Sequence, residues 1–125
     1  MKVIFFVFAV VTALLHCLFF KLESIDFMNP EVLKKFGLNA EQGSIVKVWA
    51  FNQGFYNLFL GIGLFYSIYL IHSGDIKTGL LLSRFALLTI IGAGTVLLIS
   101  SPEKYIAALM QLVPAVIGLG LSFFL

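Results

Sequence analysis

Apolar residues along this chain occur in four long stretches, in contrast to the short periodic runs of a soluble domain. The stretches cover residues 3–22, 48–71, 78–99 and 105–125. Each is long enough to cross a bilayer, which takes about 20 mostly apolar residues. Because the second and third connections are very short, consecutive spans must run antiparallel. The pattern predicts one integral membrane domain, an all-α four-helix transmembrane bundle with up-down-up-down topology.

The first connection, residues 21–47, is the only long one, and its pattern predicts a short helix over residues 30–36. Asn29 can cap this helix, Pro30 suits its first turn, and Gly37 can end it. Its apolar side chains form one stripe at helical spacing, made of Met28, Val32, Leu33 and Phe36. We expect a short amphipathic helix lying in the headgroup region of the bilayer.

The second long helix is predicted to begin before its span. Asn39 and Gln42 have the spacing of a capping box, and the helical pattern then extends to His72. A helix of that length measures about 50 Å, whereas the hydrocarbon core of a bilayer is about 30 Å thick. Its first turns must therefore project into the interface, and Trp49 suits that boundary as an aromatic anchor.

The composition of the chain argues against several classes of function. The chain has 11% charged residues, whereas soluble proteins have about 25%. The net charge of +2, without a long run of Lys or Arg, does not indicate nucleic-acid binding. Cys17 is the only cysteine, so an intrachain disulfide is impossible. Metal sites need three or four converging ligands, and at best one His and one Glu converge, so no metal or cofactor is predicted.

The second span carries polar side chains that demand an explanation. Amides in hydrocarbon cost free energy unless they are paired. Asn52 and Tyr56 are four residues apart and share one helix face, and Gln53 and Asn57 share the adjacent face. Gly54 lies between them and permits close approach of a neighbouring helix. We expect this polar stripe to face the interior of the bundle.

The first span contributes two ionisable groups on the same side of the membrane. His16 precedes Glu23 by seven residues, which places both on one helix face two turns apart. The end of the first span and the start of the second both adjoin the first connection, so their polar groups can meet. We predict a ligand-binding cluster from two spans, made of His16, Glu23, Asn52, Gln53, Tyr56 and Asn57.

Three functions are compatible with such a cluster. The first is a membrane protein that binds or transports a small, mostly apolar molecule in a polar-lined pocket at the first-connection end. The second is a membrane-embedded enzyme acting on a lipid-like substrate, with His16 as general acid and base. The third is a structural or oligomerising protein whose amides only join helices. A homodimer through glycine-rich faces is compatible with the sequence in any of the three cases. We favour the first, because the sequence contains no Ser-His-acid set, phosphate loop or cysteine nucleophile.

The run "KKFGLNAEQGSIVKVWAFNQGFYNLFLGIG" resembles a family of small bacterial integral membrane proteins described as domain of unknown function 1304. The resemblance rests on an FGL turn at residues 36–38, an N-Q-G-x-Y-N motif at residues 52–57, and His16 followed by Glu23. The family has an acidic residue directly before the histidine, where this chain has Leu15. The resemblance implies a four-span protein of a bacterial plasma membrane and no established activity.

The orientation in the membrane follows from the basic residues. The side with the first and third connections carries five Lys or Arg residues and the opposite side carries three. By the positive-inside rule, this excess predicts that the first connection is cytoplasmic.

Overall fold

The structure is a computed structural model that describes residues 1–125, and it contains no strand. The π-helical turn Lys21–Ile25 extends the first helix, and the 3-10 turn Pro102–Lys104 precedes the last. The five α-helices are α1 (Lys2–Phe20), α2 (Pro30–Phe36), α3 (Ala40–Ser73), α4 (Ile76–Ser100) and α5 (Tyr105–Ser122).

Four stretches are long and apolar enough to cross a membrane: Lys2–Ile25, Ala40–Ser73, Ile76–Ser100 and Pro102–Ser122. The predicted fold class is therefore confirmed, an all-α bundle with four transmembrane helices and a short helix in the first connection. With 34 residues, α3 is about 51 Å long at 1.5 Å per residue and exceeds the thickness of the hydrocarbon core. The chain is that of an integral membrane protein.

By their internal contacts the residues form two compact units. One unit comprises residues 1–15 and 61–125, and the other comprises residues 16–60. The second unit contains the end of α1, the π-helical turn, α2 and the first part of α3. It also contains all six predicted site residues.

In the first unit, α4 and α5 pack as an antiparallel pair. Gly94 on α4 lies against Leu112 on α5, where an added Cβ would come within 2.8 Å of the leucine Cγ. Further along the pair, Arg84 on α4 contacts Ser122 at the end of α5. Small residues at such contacts let membrane helices approach closely, so dispersion forces can hold them together.

Arg84 is the basic residue nearest the middle of its span, and its guanidinium finds hydrogen-bond acceptors at the end of α5. Its Nε donates to Ser122 Oγ at 3.0 Å and its Nη2 donates to the Ser122 carbonyl at 2.7 Å. The guanidinium also lies 4.5 Å from the centroid of the Phe123 ring. The Ser122 carbonyl belongs to the last turn of a helix and has no helical donor, so Arg84 caps α5.

Replacing Arg84 by Met is expected to lower the free energy of unfolding by about 2 kcal/mol, because charge-assisted hydrogen bonds are lost and a carbonyl loses its partner. Ser122→Ala removes only the hydroxyl and is expected to cost about 1 kcal/mol or less. Unfolding by SDS titration of the micellar protein measures both. Equal losses in the two variants would contradict the capping role.

In the second unit, local signals define α2 as predicted. Asn29 Oδ1 accepts a hydrogen bond from the Glu31 amide at 3.0 Å. Gly37 ends the helix with a φ of 72°, a left-handed conformation that glycine adopts without strain. The Leu38 amide donates to the Leu33 carbonyl at 2.9 Å, which completes a Schellman motif.

The first turn of α3 is closed by the predicted capping box. The Gln42 amide donates to Asn39 Oδ1 at 2.8 Å, and the Asn39 amide donates to Gln42 Oε1 at 3.0 Å. Two backbone amides at the start of the helix thus have side-chain acceptors. This fixes where α3 begins, well before its apolar portion.

Part of the apolar stripe of α2 packs within the protein, whereas Met28 at its edge is 41% exposed. The expected position of this helix in the headgroup region stays a prediction. Val32 and Leu33 are 6% and 3% exposed. Gly43 in the first turn of α3 lies so close to Leu33 that a side chain there would overlap it. Phe27 and Phe36 add a ring contact with centroids 5.5 Å apart. Burial of Val32 and Leu33 removes apolar area from water and stabilises the contact between α2 and α3.

Candidate functional site

The end of α1 and the middle of α3 approach each other closely at Gly54. Gly54 is buried, and a Cβ built on it would overlap Ser24 Oγ and lie 3.1 Å from Glu23 Cβ. Glycine therefore lets these side chains pack against the α3 backbone, and a larger residue would require Ser24 to move. The predicted role of Gly54 in close helix approach is confirmed.

The π-helical turn Lys21–Ile25 directs two consecutive side chains toward α3. It is closed by a hydrogen bond of 2.9 Å from the Asp26 amide to the Lys21 carbonyl. Ser24 Oγ donates to the Phe51 carbonyl at 2.7 Å, while the neighbouring Glu23 reaches α3 on the other side of Gly54. Such wide turns are rare in helices and are frequent at functional sites.

Glu23 is held by a single amide. Asn57 Nδ2 donates to Glu23 Oε2 at 2.7 Å, and Asn57 is 8% exposed. Lys21 forms its ion pair with Asp26, so it does not neutralise Glu23. The second carboxylate oxygen, Oε1, makes no hydrogen bond within the protein and can accept one from a ligand.

An open cleft of about 280 Å³ lies beside this contact. Its volume is slightly below the range of about 300–1,000 Å³ typical of small-molecule sites. The walls are mainly apolar, and one acidic and one basic residue contribute to them. The cleft is lined by Glu23, Ser24, Ile25, Phe27, Met28, Lys47, Val48 and Phe51.

Of the predicted cluster, the structure brings together Glu23 and Asn57. Glu23 lines the cleft. Asn57 donates a hydrogen bond to Glu23 and does not itself line the cleft. His16 is 1% exposed, with its ring edge-on to Phe19 at a centroid distance of 5.5 Å. It does not line the cleft.

The other three predicted residues do not join the cluster. Asn52, Gln53 and Tyr56 are exposed, Tyr56 by 68%. Gly54 and Asn57 face α1, and at about 100° per residue the three others lie roughly a quarter to half a turn away from that face. The expected convergence of all six side chains is therefore not observed.

The depth of the exposed amides explains why they need no interior partner. Ser24 contacts Phe51 near the end of the first candidate span, so Asn52 lies at the level where α1 leaves the membrane. Water and lipid headgroups can reach side chains at that level. Asn52 Nδ2 also donates to the Val48 carbonyl of its own helix at 2.8 Å. Trp49 is 69% exposed, as the predicted role of an aromatic anchor at the interface requires.

Several residues of the cleft were not predicted from the sequence. Ser24 lies in the π-helical turn and Lys47 and Phe51 lie on α3, so their convergence depends on the packing of two segments distant in the chain. The one available signal was Lys47, a lone cation in the approach to a long apolar stretch. No three side chains of the types that bind metals converge in the structure. The charged residues that line the cleft are Glu23 and Lys47.

The comparisons with known proteins agree with the resemblance. Residues 10–123 match the family described as Protein of unknown function (DUF1304), a range that includes the whole cleft. No curated protein and no solved structure matches the chain. Since the match covers most of the sequence and includes the N-Q-G-x-Y-N motif, the chain belongs to the DUF1304 family.

Proposed function

We propose that this protein binds a small, mostly apolar molecule with one polar end in the cleft beside the π-helical turn. The observation that carries the proposal is Glu23, a carboxylate held by Asn57 and lining an otherwise mainly apolar cleft. Ligand sites typically combine apolar walls with a few fixed polar groups. The polar end of the ligand would meet Glu23, and its apolar part would lie along Val48 and Phe51.

The hydrogen bond from Asn57 supports a binding role for Glu23. It fixes one carboxylate oxygen and leaves the other without a hydrogen-bond partner in the protein, on a side chain that lines the cleft. A group fixed before the ligand arrives loses less conformational entropy on binding. Binding also recovers a hydrogen bond for the second oxygen.

The position of the cleft supports entry from the bilayer. It is open, and it lies where the first candidate span ends. Amphipathic molecules concentrate at that level of a membrane, with their polar ends toward water. The excess of Lys and Arg on this side favours a cytoplasmic cleft.

A structural role is the second candidate, because the hydrogen bond from Asn57 to Glu23 also ties α3 to the end of α1. Interhelical hydrogen bonds in membranes contribute about 0.6–2 kcal/mol, enough to hold a helix pair. In that case the pair would stabilise the fold and the cleft would bind nothing. The enzymatic alternative gains no support, since His16 does not line the cleft.

A variant that fills the cleft distinguishes the ligand-binding role from the structural role. Val48 lines the cleft and is 62% exposed, so Val48→Trp is expected to block the cleft without disturbing a buried core. We expect the variant to lose at least about tenfold in affinity for a dodecyl-chain lysophospholipid, because the walls that bury the chain are covered. Native mass spectrometry of the protein in detergent measures the bound fraction.

The matched control is Ile45→Trp, on the same helix, 68% exposed and outside the cleft. It is expected to bind the lysophospholipid as the unmodified protein does. Equal binding by both tryptophan variants would show that the amphiphile binds elsewhere. If the unmodified protein bound no amphiphile, the structural role would stand.

A further inference from the structure

Two opposite charges line the cleft without pairing with each other. Glu23 and Lys47 both border it, yet the only ion pair in the chain joins Lys21 to Asp26. In an open site on a protein surface, unpaired charges of opposite sign would gain by coming together. Here the two charges are carried by different helical segments, the π-helical turn and α3, and both side chains border the cleft. A ligand carrying both signs of charge can pair with both groups at once.

Each charged group has surroundings that suit one part of such a ligand. Glu23 offers a free carboxylate oxygen, and Phe27 and Phe51 line the same cleft. Aromatic rings attract ammonium groups, which adds to the attraction by the carboxylate. Lys47 is exposed on α3 one turn before Phe51, and its three N–H donors suit a phosphate.

The size and the level of the cleft point to a lipid as the source of those charges. A volume of about 280 Å³ holds a headgroup and a few methylenes but not a whole phospholipid. Ser24 and Phe51 place the cleft where the first candidate span ends, which is where headgroups lie. The apolar walls provided by Ile25 and Val48 suit the first carbons of an acyl chain and would gain nothing from a freely soluble zwitterion.

We propose that the cleft selects a zwitterionic phospholipid headgroup, with its ammonium on Glu23 and its phosphate on Lys47. The inference rests on the proposed function, since it names the class of molecule that the same cleft binds. The acyl chain leaves the cleft along Val48 and continues in the bilayer. Asn57 acts as a positioning residue, because it fixes Glu23 without touching the ligand.

The test uses four probes: lauroyl lysophosphatidylethanolamine, lauroyl lysophosphatidylglycerol, dodecylamine and glycerophosphoethanolamine. The first carries both charges and a chain, and each of the others lacks one of these parts. We expect the first to bind the protein about tenfold more tightly than the second or third, since each lost charge-assisted hydrogen bond weakens binding by about that factor. Glycerophosphoethanolamine is expected not to bind. Native mass spectrometry in detergent gives the relative affinities.

Two variants test which residue of the cleft pairs with which charge of the ligand. Glu23→Gln keeps an oxygen that accepts from Asn57, so the helix contact is retained while the negative charge is lost. It is expected to abolish the preference for the zwitterion over lysophosphatidylglycerol. Lys47→Gln is expected to abolish the preference over dodecylamine. The matched control, Lys77→Gln, changes the net charge equally but lies outside the cleft, and it is expected to keep both preferences.

The outcomes separate this inference from the proposed function. If all three chain-bearing probes bound equally well, the cleft would bind amphiphiles without selecting a zwitterion, and only the inference would fail. If glycerophosphoethanolamine competed as well as the lysolipid, the ligand would be a soluble zwitterion and the lipid assignment would fail. If no probe bound the unmodified protein, both proposals would fail together.

Discussion

Gly54→Ala is expected to lower the free energy of unfolding by about 2 kcal/mol, as overpacking at a close contact typically does. The added Cβ would overlap Ser24 Oγ and press on Glu23 Cβ at 3.1 Å. Ser24 would have to release the Phe51 carbonyl, and the end of α1 would move away from α3. Because Glu23 lies at the same contact, the variant is also expected to bind amphiphiles more weakly.

The Cβ added by Gly54→Ala would overlap mainly a side chain, so a second substitution can relieve the overlap. Ser24→Ala removes the overlapping oxygen, and the double variant is expected to be less destabilised than the two single variants added together. Gly63→Ala is the matched control on the same helix, because a Cβ there has nothing within 4 Å. SDS titration followed by the fluorescence of Trp49, the one tryptophan, measures all four proteins. Equal stability of Gly54→Ala and Gly63→Ala would contradict the close approach of α1 and α3.

Gly79→Ala is expected to cost more, about 3 kcal/mol, because its Cβ would meet backbone as well as a side chain. The nearest atoms are Ile71 Cγ1 at 2.6 Å, the Ser67 carbonyl oxygen at 2.8 Å and the Ile71 nitrogen at 2.9 Å. In an α-helix the amide of residue 71 donates to the carbonyl of residue 67, so the methyl group would press on a hydrogen bond of α3. A backbone hydrogen bond cannot rotate away as a side chain can. The helix pair α3–α4 would have to separate.

Side-chain truncation is therefore not expected to rescue Gly79→Ala. Ile71→Ala removes the Cγ1 contact but leaves both backbone contacts in place. The control is Gly92→Ala, also on α4, where a Cβ has nothing within 4 Å. Size-exclusion chromatography after heating gives the temperature at which half of the micellar protein aggregates. These temperatures rank the variants by stability. Full rescue by Ile71→Ala would show that the backbones of α3 and α4 are further apart than described.

The exposed amides show which features of a site can be inferred from residues at helical spacing and which cannot. Asn52, Gln53, Tyr56 and Asn57 could be assigned to two adjacent faces of one helix from spacing alone. Which of those faces meets α1 depends on the rotation of α3 about its axis. Gly54 favours the observed rotation, because the absence of a side chain on its face lets Glu23 and Ser24 approach α3 closely. Asn57 shares this face, and the other three do not.

The cleft depended on a feature with no sequence signature. The π-helical turn at Lys21–Ile25 adds one residue to a helical turn and directs Glu23 and Ser24 toward the same neighbour. Nothing in the residues of that turn distinguishes it from a continued α-helix, since none is a proline or a glycine. The position of Lys47 beside these residues depends on how α3 packs against the end of α1, so the full lining of the cleft could not be predicted.

The sequence by itself determined the elements whose physical cause is local or is a property of length. Four apolar stretches long enough for a bilayer define four spans, because backbone groups in hydrocarbon must be satisfied within a helix. Asn29, Gly37 and the capping box of Asn39 and Gln42 set helix ends through hydrogen bonds to nearby backbone. Only the tertiary structure decided which side chains face a neighbour, since helix rotation depends on contacts between residues far apart in the chain. The pairing of Asn57 with Glu23, 34 residues apart, is such a contact, and the proposed site depends on it.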